Sequence, residues 1–239
     1  MPVSTRFADP YFSLSGGLAE ARHVFLAGND LPERLHEGFH VAELGFGTGL
    51  NCLALAQVAR MPVRMTSFEA FPMDVAQLQR AHAAFPELDD LAQQLRASWG
   101  QRLIRIGNLQ LELVIGDVAQ TLPRWQGQAD AWFLDGFSPA RNPEMWSDEV
   151  MAQVGRHSAA DASLATYTAA GHVRRALQQA GFQVQRRPGF GHKRHMTVGR
   201  MEAGRMEAGR MKAGRMGALA PRRDGPLDGG RNGAPPASR

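Results

Sequence analysis

The chain has one cysteine, Cys52, among 239 residues. It can form no internal disulfide, and its place on an apolar run after a glycine-rich turn marks it as a buried packing thiol. Nowhere do 18 apolar residues follow one another, as a bilayer crossing requires, and Met1-Pro2-Val3-Ser4-Thr5-Arg6 has no apolar h-region. A soluble, cytoplasmic protein without a membrane partner is therefore expected. Positive charge is also scarce where a fold is expected. The formal net charge is +4, but residues 1–198 hold 18 basic against 19 acidic residues. The surplus, nine against four, lies from Gly199 onward. Bulk charge thus offers no argument for nucleic-acid binding by the folded part.

Two phosphate-binding signatures are missing from the stretch that organises the chain, His40-Val41-Ala42-Glu43-Leu44-Gly45-Phe46-Gly47-Thr48-Gly49. A P-loop needs Lys-Ser or Lys-Thr after its last glycine, and Leu50-Asn51 stands there. The dinucleotide fingerprint would place glycine at position 50. What is present is a strand ending in an acid, three alternate glycines, and a helix over 50–60 with Leu50, Leu53, Leu55 and Ala56 as packing residues. Strand, glycine turn and helix make half of a βαβ unit, and the helix start offers free N–H groups. The G-x-G-x-G with Glu43 two residues before it resembles the cofactor loop of class I S-adenosylmethionine-dependent methyltransferases. That ligand presents an ammonium, a carboxylate and a ribose, and no phosphate. The alternative is a tight strand–helix turn without a ligand.

Further strands are expected at 64–69, 109–115, 131–135, 164–167, 182–187 and 195–198, with helices at 18–27, 73–84, 88–98 and 172–180. This alternation predicts an α/β fold, a doubly wound, mostly parallel sheet of seven strands with helices on both faces, the Rossmann-like class I arrangement. Ligands of such sheets bind beyond the carboxyl ends of the strands, where strand order reverses. Glu43, Glu69, Asp117 and Asp135 each close a strand, so all four should line one sheet edge. Any one of them is equally readable as a helix cap or loop acid. From Gly199 a five-residue repeat begins: Gly-Arg-Met-Glu-Ala twice, then Gly209-Arg-Met-Lys-Ala and Gly214-Arg-Met-Gly-Ala. Its composition cannot bury a core, so the expected division is a folded domain over 1–198 and a disordered, passive tail over 199–239.

Asp135-Gly136-Phe137-Ser138-Pro139-Ala140-Arg141-Asn142-Pro143-Glu144-Met145-Trp146 leaves a strand beside the cofactor loop. An amine can be methylated only as the free base, and a carboxylate at Asp135 can orient it and accept its proton. Phe137 and Pro139 would shape a pocket for a flat base. Together with Gly16-Gly-Leu-Ala-Glu-Ala, Phe68-Glu-Ala-Phe-Pro, Thr168-Ala-Ala-Gly and Gly189-Phe-Gly-His-Lys-Arg-His-Met, these motifs resemble the tRNA 5-methylaminomethyl-2-thiouridine methyltransferases, the methyltransferase half of bifunctional MnmC proteins. The match runs from about residue 9 to 198.

The resemblance implies methyl transfer from S-adenosyl-L-methionine to the aminomethyl group of a tRNA wobble uridine, with no metal. Carried over by position, Glu43, Gly45, Gly47 and Gly49 would hold the methionine end of the cofactor. Glu69 would take its ribose, Asp117 its adenine side, and Asp135 the acceptor amine. Lys193 and Arg194, with Arg186, Arg187 and His192 near in sequence, would meet tRNA phosphates, or else form a solvated loop. In bifunctional relatives an FAD-dependent oxidoreductase domain follows and first removes a carboxymethyl group. No G-x-G-x-x-G appears here, so that upstream enzyme is expected to be a separate protein. Two other readings stay open: methyl or aminopropyl transfer to a small-molecule amine, and a cofactor-binding module without catalysis.

Overall fold

Five consecutive buried residues, His40–Leu44, form the central strand β1. A strand buried on both faces needs covered neighbours on each side, and β1 has them. It pairs in parallel with β2 (Val63–Glu69) and with β5 (Ala129–Leu134). The computed structural model describes residues 16–202, and in addition the paired backbones of Val3–Ser4 and Asp9–Pro10. Among these are β3 (Leu103–Ile106), β4 (Leu109–Ile115), β6 (Ser158–Thr166), β7 (Phe182–Pro188) and β8 (His195–Met201). The sheet therefore has eight strands, in the order β3-β4-β2-β1-β5-β6-β8-β7. The central five, β4 to β6, run parallel, while β3, β8 and β7 pair antiparallel with their neighbours.

The expected seven strands are all present, and the eighth is β3. Its two-residue link to β4 is Gly107-Asn108, with Gly107 at φ 55° and Ile106 opposite Leu109. That is a hairpin turn whose backbone twist matches the strands it joins.

Helices α2 (Leu50–Val58), α3 (Val75–His82), α4 (Asp89–Ala97), α6 (Asp148–Arg156) and α7 (Gly171–Gln179) cover the sheet. All seven residues from Leu50 to Ala56 are buried, Cys52 among them. Burying a leucine such as Leu53 or Leu55 stabilises the fold by about 1.5–3 kcal/mol. The helical run predicted over 18–27 changes pitch along its length. It is α-helical over Gly17–Ala21 (α1), wider over Arg22–Leu26 and tighter over Ala27–Asn29. Asp30, at φ 56°, ends it in the left-handed region.

The expected boundary at residue 198 falls inside β8. Gly199, Arg200 and Met201, the start of the repeat, pair with β7 and β6. Met201 is buried, and Arg200 reaches Asp30 at 2.9 Å. The rest of the expected tail lies outside the described residues. No helix among the described residues is long and apolar enough to cross a membrane.

Candidate active site

Strand order reverses between β1 and β5, so their carboxyl ends open a crevice. Register places Glu43 on β1 opposite Ser67 on β2 and Phe133 on β5. Glu43 is wholly buried. Ser67 Oγ donates to its Oε2 at 2.6 Å, and Asn51 Nδ2 donates to its Oε1 at 2.9 Å. Burial pushes this carboxyl well above the usual range. The two hydrogen bonds oppose the rise, while the charges of Asp135 and Glu69 add to it.

The three loop glycines all take positive φ: 82° at Gly45, 55° at Gly47 and 76° at Gly49. At Gly45 a Cβ would also lie 3.0 Å from Gly136 Cα and 3.1 Å from the Asp135 carbonyl oxygen. Glycine there lets the two exit loops of the crevice lie against each other. At Gly49 a Cβ would come within 2.6 Å of the Phe46 ring. Gly47 N donates to Glu69 Oε2 at 2.9 Å, and Phe71 N donates to Oε1 at 2.7 Å. Glu69 therefore braces the glycine loop from the end of β2, and each of its oxygens keeps a further lone pair for a hydroxyl.

Asp135 is the first residue after β5, and its N–H donates to the Leu44 carbonyl at 3.1 Å. Its Oδ1 accepts from Gly136 N at 2.8 Å, and its Oδ2 accepts from Asn51 Nδ2 at 2.7 Å. Loss of water around the carboxyl pushes its pKa up to about 6, against the pull of the Gly136 and Asn51 hydrogen bonds and the Lys193 charge. At neutral pH it is mostly ionised and close to the point of accepting a proton. Beyond it, Trp146 Nε1 donates to the Phe137 carbonyl at 2.9 Å, and Tyr167 OH donates to the Gly136 carbonyl at 2.8 Å. These bonds set the shape of the loop that carries Phe137 and Pro139, both half-buried.

The four acids stand at the ends of adjacent strands, in the order β4, β2, β1, β5. Glu43 feels the charges of Glu69 and Asp135 and shares Asn51 with Asp135. Asp117 is the outlier: it is exposed, and its Oδ1 accepts from Ala119 N at 2.9 Å as the cap of α5 (Val118–Thr121). The basic run divides. Lys193 Nζ donates to Glu20 Oε1 at 2.6 Å and sits 4.3 Å above the Tyr167 ring. Arg194 is exposed, as is Arg186 on β7. Arg187 lies 3.9 Å from Asp30, beside Arg200 in a groove of about 350 Å³ that includes none of the four acids.

Sequence reasoning gave no role to Asn51, Ser67, Glu20 or Tyr167, although Asn51, Glu20 and their neighbours stand in motifs already singled out. Their parts depend on strand register and on contacts between distant segments. Chemically, Glu69 and Asp135 at the sheet edge, above the buried Glu43, are suited to a cation bearing hydroxyls. A phosphate would meet repulsion there. The residues fit S-adenosyl-L-methionine, which carries a sulfonium, an ammonium and a ribose diol.

Comparison with known proteins points the same way. Residues 86–202 match the family model described as S-adenosyl-L-methionine-dependent methyltransferase. The bifunctional protein MnmC of tRNA 5-methylaminomethyl-2-thiouridine biosynthesis from Ectopseudomonas mendocina is 48% identical across 84% of this chain and 34% of its own length. Its counterpart from Caulobacter vibrioides is 47% identical across 85% of this chain and 36% of its own length. The chain thus spans about a third of the length of the curated relatives it matches. The crystal structure of MnmC2 from Aquifex aeolicus superposes with a TM-score of 0.70 at 23% identity, covering 84% of this chain and 67% of that one. At that identity the likeness establishes the fold.

Proposed function

We propose that this chain, whose residues 86–202 match the S-adenosyl-L-methionine-dependent methyltransferase family model and which is 48% identical to an MnmC protein across 84% of the chain, methylates the aminomethyl nitrogen of 5-aminomethyl-2-thiouridine at the tRNA wobble position. The observation that carries this reading is the placement of Asp135. A half-buried carboxylate with a pKa raised to about 6 lies one strand from the cofactor loop and is tied to it through Asn51.

Bound S-adenosyl-L-methionine supplies a methyl group made electrophilic by its sulfonium. Glu43 and the glycine loop hold its methionine end, Glu69 the ribose hydroxyls, and Asp117 the adenine side. Asp135 binds the acceptor as an ammonium, takes its proton and leaves a lone pair free to attack. A base with a pKa near the working pH is matched to that task. Gly136 N and Asn51 keep the carboxylate oriented while the proton moves. Phe137 and Pro139 flank the uracil ring, and exposed Arg194 and Arg186 meet backbone phosphates. The reading also implies an FAD-dependent oxidoreductase as upstream partner, because the amine must be unmasked before it can be methylated.

Acids at the sheet edge would attract a polyamine as well, so a small amine is the competing acceptor. Incubation with cofactor labelled in the methyl group, and either amine-bearing tRNA or polyamines, separates the two. Label is expected in the tRNA. Label in the polyamine alone would overturn the proposal.

A further inference from the structure

The chain has two lysines among its 27 basic residues, Lys193 and Lys212, so Lys193 is the only one among the described residues. Everywhere else in the described fold a permanent cation is an arginine. The two are not equivalent. Arginine presents a wide planar fork, whereas lysine ends in a compact primary ammonium. At position 193 the ammonium is held by two contacts, and its charge acts on a third group at longer range. Glu20 Oε1 is 2.6 Å from Nζ, the Tyr167 ring lies 4.3 Å beneath it, and its charge reaches Asp135 and lowers that carboxyl's pKa.

The segments that deliver these groups are far apart in sequence and separately anchored. Glu20 sits on α1, and its carboxylate is 14% exposed. Tyr167 follows β6 and is tied to the Asp135 loop by its bond to the Gly136 carbonyl. Lys193 is in the turn between β7 and β8, closed by Lys193 N to the Phe190 carbonyl at 3.1 Å and Gly189 N to the Arg194 carbonyl at 3.2 Å. Phe190 packs on His23, which fixes that turn against the first helical segment. The Lys193 side chain is 48% exposed and so has an open path out.

A carboxylate and an aromatic face against one small cation, with Tyr167 bonded to the loop that carries a second carboxylate, are the recognition chemistry for an alkylammonium. The acceptor proposed above is an alkylammonium too, with the same terminal group as lysine. We propose that Glu20, Tyr167 and Asp135 form a cation cage for the protonated aminomethyl group of the acceptor, and that the Lys193 ammonium fills this cage until the acceptor displaces it. This rests on the acceptor reading given above. Exchanging one cation for another leaves Glu20 paired before and after binding. The cage also selects. A side chain that still carries an acidic substituent on its nitrogen meets two carboxylates and is repelled.

The experiment follows Lys193 by nuclear magnetic resonance in the full-length protein labelled with lysine carrying ¹³C at Cε. Two signals are expected, assigned by Lys193→Met, and the Tyr167 ring shifts the Lys193 Hε resonance upfield. S-adenosylhomocysteine is added to prevent turnover. One sample receives tRNA bearing 5-aminomethyl-2-thiouridine, and another the same tRNA with an unmodified uridine. The Lys193 signal should move to the position of a free lysine side chain only with the amine-bearing tRNA. Equal movement with both would make Lys193 a phosphate ligand and overturn the cage, as would no movement with either.

Methyl transfer by the wild-type protein to the same amine-bearing tRNA is measured separately. Its failure would remove the functional reading, whatever the resonance does. In steady state, Lys193→Met should lower KM for the amine-bearing tRNA about tenfold, the change expected if lysine occupies the cage about nine-tenths of the time. Glu20→Gln should raise KM, and Glu20→Asp should recover part of the loss. A raised KM in Lys193→Met contradicts the proposal.

Discussion

The side-chain nitrogen of Asn51 lies 2.7 Å from Asp135 Oδ2, and its second hydrogen reaches Glu43 Oε1 at 2.9 Å. One amide therefore spans the point where strand order reverses, and ties the acid of the cofactor loop to the acid of the acceptor loop. An amide N–H does not titrate, so this link holds whichever carboxyl carries a proton.

Replacing Asn51 by alanine should leave two carboxyl oxygens without a donor. An unsatisfied buried polar group costs about 1–3 kcal/mol, so denaturant unfolding of Asn51→Ala should show a loss of that order. The rate of methyl transfer should fall about tenfold or more, because Asp135 loses the bond that orients it. A variant as stable and as active as wild type would leave the bridge without a role.

The raised pKa of Asp135 carries a pH signature. Between the ordinary value of 3.8 and about 6, the folded protein keeps a proton on Asp135 that the unfolded chain has released. Its contribution to stability is thus complete below that window and is lost as pH rises through it. In the ligand-free protein, Asp135→Asn should gain stability relative to wild type between about pH 4 and pH 6. Glu43 is present in both proteins, and losing the Asp135 charge lets its raised pKa fall, which adds to the gain in the same direction. Thermal unfolding measured at a series of pH values reads the difference, and a difference that stays flat would mean the carboxyl is not raised.

Glu69 is proposed to hold the ribose while it braces Gly47 and Phe71. Glu69→Ala should weaken S-adenosyl-L-methionine binding, since charge-assisted hydrogen bonds worth roughly 1.5–3 kcal/mol are lost. That corresponds to about a 10- to 100-fold higher Kd. Calorimetric titration giving an unchanged Kd would take Glu69 out of the site.

Much of this architecture was legible in the chain itself. The apolar runs at His40–Leu44 and Ala129–Leu134, the glycine turn and the acids at strand ends mark the position of the crevice in the sequence itself. The hairpin at Gly107-Asn108 and helix α6 also carry ordinary local signals, a two-residue turn and the spacing of Val150, Met151 and Val154, which the long gap between stronger motifs obscured. Asn51, Ser67, Glu20 and Tyr167 are of another kind. Ser67 meets Glu43 only because β1 and β2 pair in that register, and Lys193 meets Glu20 across 173 positions of sequence. Nothing local specifies such contacts. The glycine repeat misled for the same reason. Its first three residues complete β8 because a neighbouring strand offers them a ladder, which composition does not report.

That extension predicts a difference between two truncations. Ending the chain after Val198 removes Gly199–Met201 from the sheet, together with the buried Met201 side chain and the Arg200–Asp30 ion pair. Burial of a methionine alone is worth about 1.5–3 kcal/mol. The protein ending at 198 should therefore melt measurably lower than one ending at 203. Equal melting temperatures would mean that the end of β8 adds nothing to the fold.

The central claim is that Asp135 is where the acceptor amine loses its proton, and the most direct measurement is the single-turnover rate of Asp135→Asn on amine-bearing tRNA across pH. Asparagine keeps the shape and one acceptor oxygen but removes the charge and the basicity. At neutral pH the rate should fall about 10²–10⁴-fold, the range for loss of a positioned acid–base group. Affinity for S-adenosyl-L-methionine should change little, and raising the pH should restore part of the rate by supplying free amine from solution. A near wild-type rate at neutral pH, or a loss that no increase in pH relieves, would contradict the account.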